Sequence, residues 1–192
     1  MRNLLLLGAA FGLATVANAQ TGNQSSVTQT GNTNGASVTQ TGAAQTSTVQ
    51  QINGDANQAT VVQNAVASSY GPGAQTSSLL QNGSRNTASV DMQQTGGGGK
   101  TPNTARIEQV GNDNTIVNQS LNAPSYNSGQ NATALQYGNG NWAEQEVLNG
   151  YTQSLYLKQD GDRNRSDQQV GSGNHNTVET MQTGDDNVAT QT

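Results

Sequence analysis

The sequence predicts an all-β protein: a β-solenoid built as a two-sheet cross-β stack of about seven strand-turn-strand repeats. Three observations lead there. A polar hexapeptide, Gln-x-Gly-x-x-Asn, returns seven times, at 29–34, 81–86, 109–114, 136–141, 159–164, 169–174 and 182–187, and Gln40-Thr-Gly-Ala-Ala-Gln45 is a near-copy. The segments between the hexapeptides alternate with a period of two. The composition, with 24 Asn, 24 Gln and 23 Gly against one Phe and one Trp, is too poor in large apolar side chains for an ordinary globular core. Low hydrophobicity alone is equally compatible with disorder. The regular period decides for a stack held by backbone bonds and amide ladders.

The alternating segments follow one rule. Asn23-Gln-Ser-Ser-Val-Thr-Gln29 is the template; 34–40, 45–51, 57–63, 75–81, 103–109 and 153–159 repeat it. Successive side chains on a strand point to opposite faces, so one face carries the amides, small residues and aliphatics and the other carries Thr, Ser and charges. The expected inward amides are Asn23, Gln29, Asn34, Gln40, Gln45, Gln51, Asn57, Gln63, Gln75, Gln81, Asn86, Asn103, Gln109, Asn114, Gln130, Gln136, Asn141, Gln153, Gln159, Asn164, Asn176, Gln182 and Asn187. The expected inward apolar residues are Val27, Val38, Val49, Val61, Leu79, Val90, Ile107 and Leu157. Gly31, Gly42, Gly83, Gly111, Gly138, Gly161, Gly171 and Gly184 are the expected turn glycines.

Two strands make one unit. Second strands open at Asn34, Asn57, Asn86, Asn114, Asn141, Asn164 and Asn187, at intervals of 23, 29, 28, 27, 23 and 23 residues. Inserts stand at 64–74, 95–102 and 120–129 in the three longer intervals and at 148–152, all after a second strand and so on one edge of the stack. Several second strands depart from the rule: Met92 replaces the closing Gln, 114–120 has no closing Gln in register, 141–147 ends in Val, and 164–169 is one residue short. These strands are expected to be less regular or to bulge.

Residues 1–19 read as a secretory signal peptide, with Arg2, a largely apolar run from Leu4 to Val16 and Ala17-Asn18-Ala19 as the cleavage site. The run is shorter than the roughly 20 residues of a spanning helix. The domains are therefore 1–19, a leader, and 20–192, the repeat. Without Arg2 the chain has 6 basic and 12 acidic residues, a net charge of −6, which does not suit nucleic acid or an anionic membrane surface as partner, and no nucleic acid is expected. No membrane insertion is expected, and with no cysteine there is no disulfide.

No motif supports an enzyme. Gly96–Thr101 ends like a phosphate loop but has Gln94 where its first glycine belongs, so it reads as an insert. Asp160–Asn164 has carboxylates at calcium-loop spacing, but Arg165 and Gly171 stand at the required Gly and Glu, so it reads as a charged turn, as does Asp185-Asp186. His175, the one histidine, reads as an exposed turn residue. No catalytic residue, metal or cofactor is expected. Trp142 and the five Tyr read as scattered surface aromatics, with Tyr156 outward on a strand. Outward Thr28, Thr39, Thr48 and Thr60 suggest an ice- or polysaccharide-binding face, but the row gives way to Arg106, Glu108, Lys158 and Glu179.

Asn23, Gln29, Asn34 and Gln40, at spacings of six, five and six, with Asn103, Gln109 and Asn114 filling the same places later, resemble the curlin repeat of bacterial curli fibre subunits. The likeness recurs over nearly all of 20–192, although the first strand opens at Asn23 without the export segment expected before it. The resemblance implies a secreted subunit, exported via the periplasm through an outer-membrane pore. It implies a homopolymer grown by strand addition after nucleation by a partner subunit, forming extracellular amyloid fibres of a biofilm matrix and surface adhesion. A nucleator or minor subunit, and a soluble monomeric solenoid adhesin or ice-binding protein, are the alternatives. The chain stops mid-strand at Thr190-Gln191-Thr192, an open edge that favours the polymer. Between Gln20 and Ser84 only Asp55 is charged, so the first rungs are expected to be the most aggregation-prone.

Overall fold

The computed structural model describes residues 4–8, 13–18, 22–65, 74–94, 102–123 and 129–192. All regular structure among them is strand. The elements are β1 (Leu4–Gly8), β2 (Leu13–Asn18), β3 (Gln24–Gln29), β4 (Gly35–Thr41), β5 (Gln45–Ile52), β6 (Gln58–Ala65), β7 (Gln75–Asn82) and β8 (Thr87–Gln94). They continue with β9 (Asn103–Val110), β10 (Thr115–Ala123), β11 (Asn131–Tyr137), β12 (Trp142–Val147), β13 (Ser154–Asp160), β14 (Arg165–Val170), β15 (Thr177–Thr183) and β16 (Val188–Gln191).

The odd strands form one eight-stranded sheet, here sheet A, and the even strands a second, sheet B, each in chain order. Every pairing between strands is parallel. The fold is the β-solenoid the repeat predicts. Seven rungs, β3/β4 to β15/β16, hold the repeats. Strands of one rung face each other across the core, and each bonds to its equivalents in the rungs above and below, at the ~4.8 Å spacing of paired strands.

The alternation of the sequence is the alternation of burial: β5 reads buried-exposed-buried from Gln45, and β7 does the same from Gln75. Val27, Val38, Val49, Val61, Leu79, Val90, Ile107 and Leu157 are all buried. Each such aliphatic, fully buried, contributes about 1.5–3 kcal/mol, and stacking is what buries them, because one rung alone has no second neighbour on either side.

Two boundaries differ from expectation. The insert predicted from Ser120 starts later, because β10 runs on to Ala123 and pairs Leu121–Ala123 with Met92–Gln94. The first insert likewise starts after Ala65, the end of β6. The rest of these inserts, 66–73, 95–101 and 124–128, lies outside the described residues, as do Tyr70, Tyr126 and the cleavage residue Ala19. Within the predicted leader, β1 and β2 pair onto β3 and β4, with Leu6 opposite Val27 and Val16 opposite Val38. The physical reason is the edge itself: β3 and β4 present backbone groups that any β-competent segment in register can pair.

Candidate assembly interface

The turns are stacked as closely as the strands. Gly83 has φ 123°, and a Cβ there would lie 2.0 Å from the carbonyl oxygen of Gly111. Gly111, Gly138 and Gly161 repeat the arrangement, each within 2.3 Å of the next rung's glycine oxygen. Only glycine allows both that backbone region and that approach. Gly31, Gly42 and Gly184 share the positive φ. Gly171 does not: nothing lies within 4 Å of a Cβ there, and Gly173, with φ 135°, occupies the turn position. The prediction of Gly171 is therefore corrected to Gly173. The invariant spacing is from glycine to the amide three residues on, here Asn176, and β14 places the preceding hexapeptide glutamine, Gln169, on the outer face.

The residue immediately after each turn glycine forms its own column. Asn32 N–H donates to Asp55 Oδ1 at 2.6 Å, Asp55 N–H to Ser84 Oγ at 3.1 Å, and Ser84 N–H to Asn112 Oδ1 at 2.8 Å. Asn112, Asn139 and Asp162 continue it to Asp185. The predicted charged turns at 160–164 and 185–186 are part of this column. Beside it Arg85 pairs with Asp113 and Arg163 with Asp186, each at 2.7 Å across one rung step. Hydrogen bonding to the guanidinium holds both carboxyls below their ordinary value. His175 has φ 59° and is exposed in a turn.

Asparagines at the turn exits clamp rung to rung. Asn34 Oδ1 accepts the N–H of Asn57 at 2.9 Å, and Asn34 Nδ2 donates to Gly54 O at 3.0 Å. Asn57, Asn86, Asn114, Asn141 and Asn164 repeat both contacts on the following rung. On the opposite edge Asn23 and Gln45, Asn103 and Gln130, and Gln153 and Asn176 make the equivalent backbone-to-amide contact. Gln75 is buried there and donates to Met92 O at 3.3 Å.

The glutamines form the core ladder. In sheet A, Gln29 Nε2 donates to Gln51 Oε1 at 2.7 Å, and the same bond runs on through Gln81, Gln109, Gln136 and Gln159 to Gln182 at 2.8–2.9 Å. From Gln51 onward, each Nε2 spends its other N–H on a backbone carbonyl of sheet B: Gln51 on Gly35 O at 2.9 Å, Gln81 on Gln58 O at 3.0 Å, Gln159 on Trp142 O at 3.0 Å. A buried amide thus has both donors matched, one along the stack and one across it. All bonds of the ladder point the same way, so the stack has a chemical direction.

Sheet B begins alike, with Gln40 Nε2 donating to Gln63 Oε1 at 2.8 Å. It then changes. Met92 takes the next place under Gln63, and Leu121, Val147 and Val170 follow in that column. The neighbouring column exchanges in the opposite sense: Val38, Val61 and Val90 give way to Gln119, Gln145, Gln168 and Gln191. A second ladder runs there, Gln119 to Gln145 at 2.8 Å, Gln145 to Gln168 at 2.7 Å and Gln168 to Gln191 at 3.2 Å. A bulge between Ile116 and Gln119 brings Gln119 inward and leaves Val117 exposed on the outer face.

These four glutamines are what the sequence reading missed. The strands expected to be irregular at 141–147 and 164–169 are regular; they carry small-x-Gln-x-Val where the earlier ones carry small-x-Val-x-Gln. The signal was the Gln four residues after Asn141, Asn164 and Asn187. Nor is β14 short, since it pairs with β12 over 165–170 without a register shift. All the other predicted inward amides stand in the core columns; Asn176 and Asn187 are half-buried because they belong to the last described rung.

The outer faces divide by half. Rungs one and two carry Ser26, Thr48, Ser37 and Thr60. Lower rungs carry Arg165 stacked 3.7 Å from the Trp142 ring, Lys158 5.7 Å from Tyr137, and Tyr137 hydroxyl donating to Glu108 at 3.1 Å. Glu144 faces Asp167 across one step; burial, then that like charge, raises its pKa. Among the described residues no three acidic, His or Cys side chains gather to hold a metal.

No protein-family model, curated protein or solved structure matches the chain. What the arrangement can do chemically is read from the stack itself: it repeats one interface and transmits one hydrogen-bond direction.

Proposed function

We propose that this chain is a secreted structural subunit that polymerises end to end, by strand addition, into extracellular curli-like amyloid fibres. The observation that carries the reading is the directional repeat of the interface. Gln29 Oε1 at one end and Gln182 Nε2 at the other are acceptor and donor of one bond already made six times inside the chain. A second copy offers the same four inner columns in sheet A. The parallel pairing of β1 and β2 onto β3 and β4 within the chain is compatible with strand addition at that edge. The resemblance to curlins supplies the setting: export via the periplasm and an outer-membrane pore, a nucleating partner subunit, and a role in biofilm matrix and adhesion.

The test is refolding of residues 20–192 from denaturant at micromolar concentration, followed by thioflavin fluorescence and fibre diffraction. A lag, a rise and reflections near ~4.7 and ~10 Å support the reading. A stable β-rich monomer overturns it in favour of a soluble adhesin or ice binder.

A further inference from the structure

We infer that Asn149 is a site of spontaneous deamidation set by the fold, and that its product loosens the link between the fifth and sixth rungs. The chain has five Asn-Gly pairs, at 34–35, 53–54, 82–83, 139–140 and 149–150. Sequence alone makes them equivalent, because glycine after asparagine leaves the attacking nitrogen unhindered. The structure separates them. At three, the glycine N–H is held in a rung-to-rung bond: Gly35 to Asn57 O at 2.8 Å, Gly83 to Ile52 O at 3.2 Å, Gly140 to Asn112 O at 2.9 Å. Their side chains are also occupied: Asn34 in its clamp, Asn139 by Nδ2 on Asp162 at 3.2 Å. Asn53 holds Asn82 Oδ1 through its own Nδ2 at 3.1 Å.

At Asn149 the backbone nitrogen of Gly150 instead points to the side chain that would react with it, 2.7 Å from Asn149 Oδ1. That bond keeps the Gly150 nitrogen next to the Asn149 side-chain amide, which is exposed to water and hydroxide although Gly150 itself is buried. Base removes the Gly150 N–H proton and the nitrogen bonds to Cγ; the protonated base returns that proton to Nδ2 as the Cγ–Nδ2 bond breaks, so ammonia leaves and a succinimide remains. Water then opens the ring at either carbonyl, leaving aspartate or isoaspartate. No oxidant, reductant or cofactor enters. Holding nucleophile and electrophile together is the usual source of such selectivity.

The position gives the product a consequence. Leu148 N–H bonds Val170 O at 3.0 Å and Tyr151 N–H bonds Gly173 O at 3.3 Å, on either side of the reacting pair. Gly150 O accepts from Gln130, and a Cβ on Gly150 would lie 2.1 Å from Gly173 O. Isoaspartate lengthens the backbone between those fixed points, in a link with no room to absorb it.

The experiment incubates the full chain, folded and in denaturant, at mildly alkaline pH and maps deamidation and isoaspartate by peptide mass spectrometry. The expected result is that folded Asn149 reacts about tenfold faster than Asn34, Asn82 or Asn139, while in denaturant the five sites react alike. Asn149 no faster than those three in the folded chain overturns the inference. So does the same ranking in denaturant, which would place the selectivity in neighbouring sequence and not in the fold.

Discussion

Sheets A and B are built from the same alphabet and solve the same problem differently. In sheet A one glutamine column runs unbroken from Gln29 to Gln182. In sheet B the column stops at Gln63, and a new one starts one place over at Gln119. The difference teaches that what the stack requires is like upon like, and not glutamine at a fixed place. Where the columns exchange, Met92 caps the first ladder with an apolar surface, and Gln119 Oε1 is left without a partner among the described residues. Such an orphan costs about 1–3 kcal/mol, and the exchange confines it to one step.

The turns shared by both sheets give the largest expected effect. Gly83→Ala forces a Cβ against Gly111 O in a glycine-only backbone region and is expected to cost about 3 kcal/mol or more. Gly171→Ala, at the position the turn does not use, meets nothing and should stay within about 0.5 kcal/mol. Urea midpoints of the two full-length variants measure the contrast, and equal losses would reject the reassignment to Gly173.

Next comes the ladder itself. Gln109→Leu strands Gln81 Nε2 above and Gln136 Oε1 below, an expected loss of about 2–4 kcal/mol. Gln63→Leu, at the end of its ladder and over Met92, strands only Gln40 and Thr46 O, an expected loss of about 1 kcal/mol. Hydrogen exchange resolved by rung reads where each variant opens.

A sharper form moves the exchange. Val90→Gln with Met92→Leu lets residue 90 donate to Gln119 Oε1 and shifts the boundary up one rung, with a net change within about 1 kcal/mol. The same swap in sheet A, Val49→Gln with Gln51→Leu, breaks an unbroken column at two steps and is expected to cost about 3 kcal/mol. If the two swaps cost the same, the sheets do not differ as described.

The smallest effect is electrostatic. Asp113 and Asp186 titrate below their unfolded value because Arg85 and Arg163 bond the charged form. Their contribution is therefore present above the ordinary carboxylate range and lost as pH falls through the lowered folded values. Both pairs are solvent-exposed and small in effect. Urea midpoints compared between neutral and strongly acid pH should fall slightly less for Arg85→Gln with Arg163→Gln than for the unmodified chain.

Much of this was legible in the sequence. The period-two segments gave the strands, and the hexapeptide gave the turns and nearly all the inward amides. What escaped had a physical reason in each case. Gln119 enters the core through a bulge, which no strict alternation from Ile116 predicts. Gln145 and Gln168 were hidden by holding the template fixed, when only agreement between adjacent rungs matters. Gly173 was missed because the turn is anchored to the amide that follows it and not to the glutamine before. The acceptor column from Asp55 to Asp185 alternates Asp, Ser and Asn, so its common property is a short side-chain oxygen and not an identity.

The most direct test of the two-ladder arrangement is solid-state NMR of the assembled chain, recording through-space contacts among glutamine side-chain amides and from them to the Met92 methyl. Contacts are expected from Gln145 to both Gln119 and Gln168, from Gln63 to Met92, and in an unbroken series from Gln51 to Gln159. Contacts that pair Gln63 with Gln119 directly, or that place equivalent residues of sheet A out of register, would contradict it.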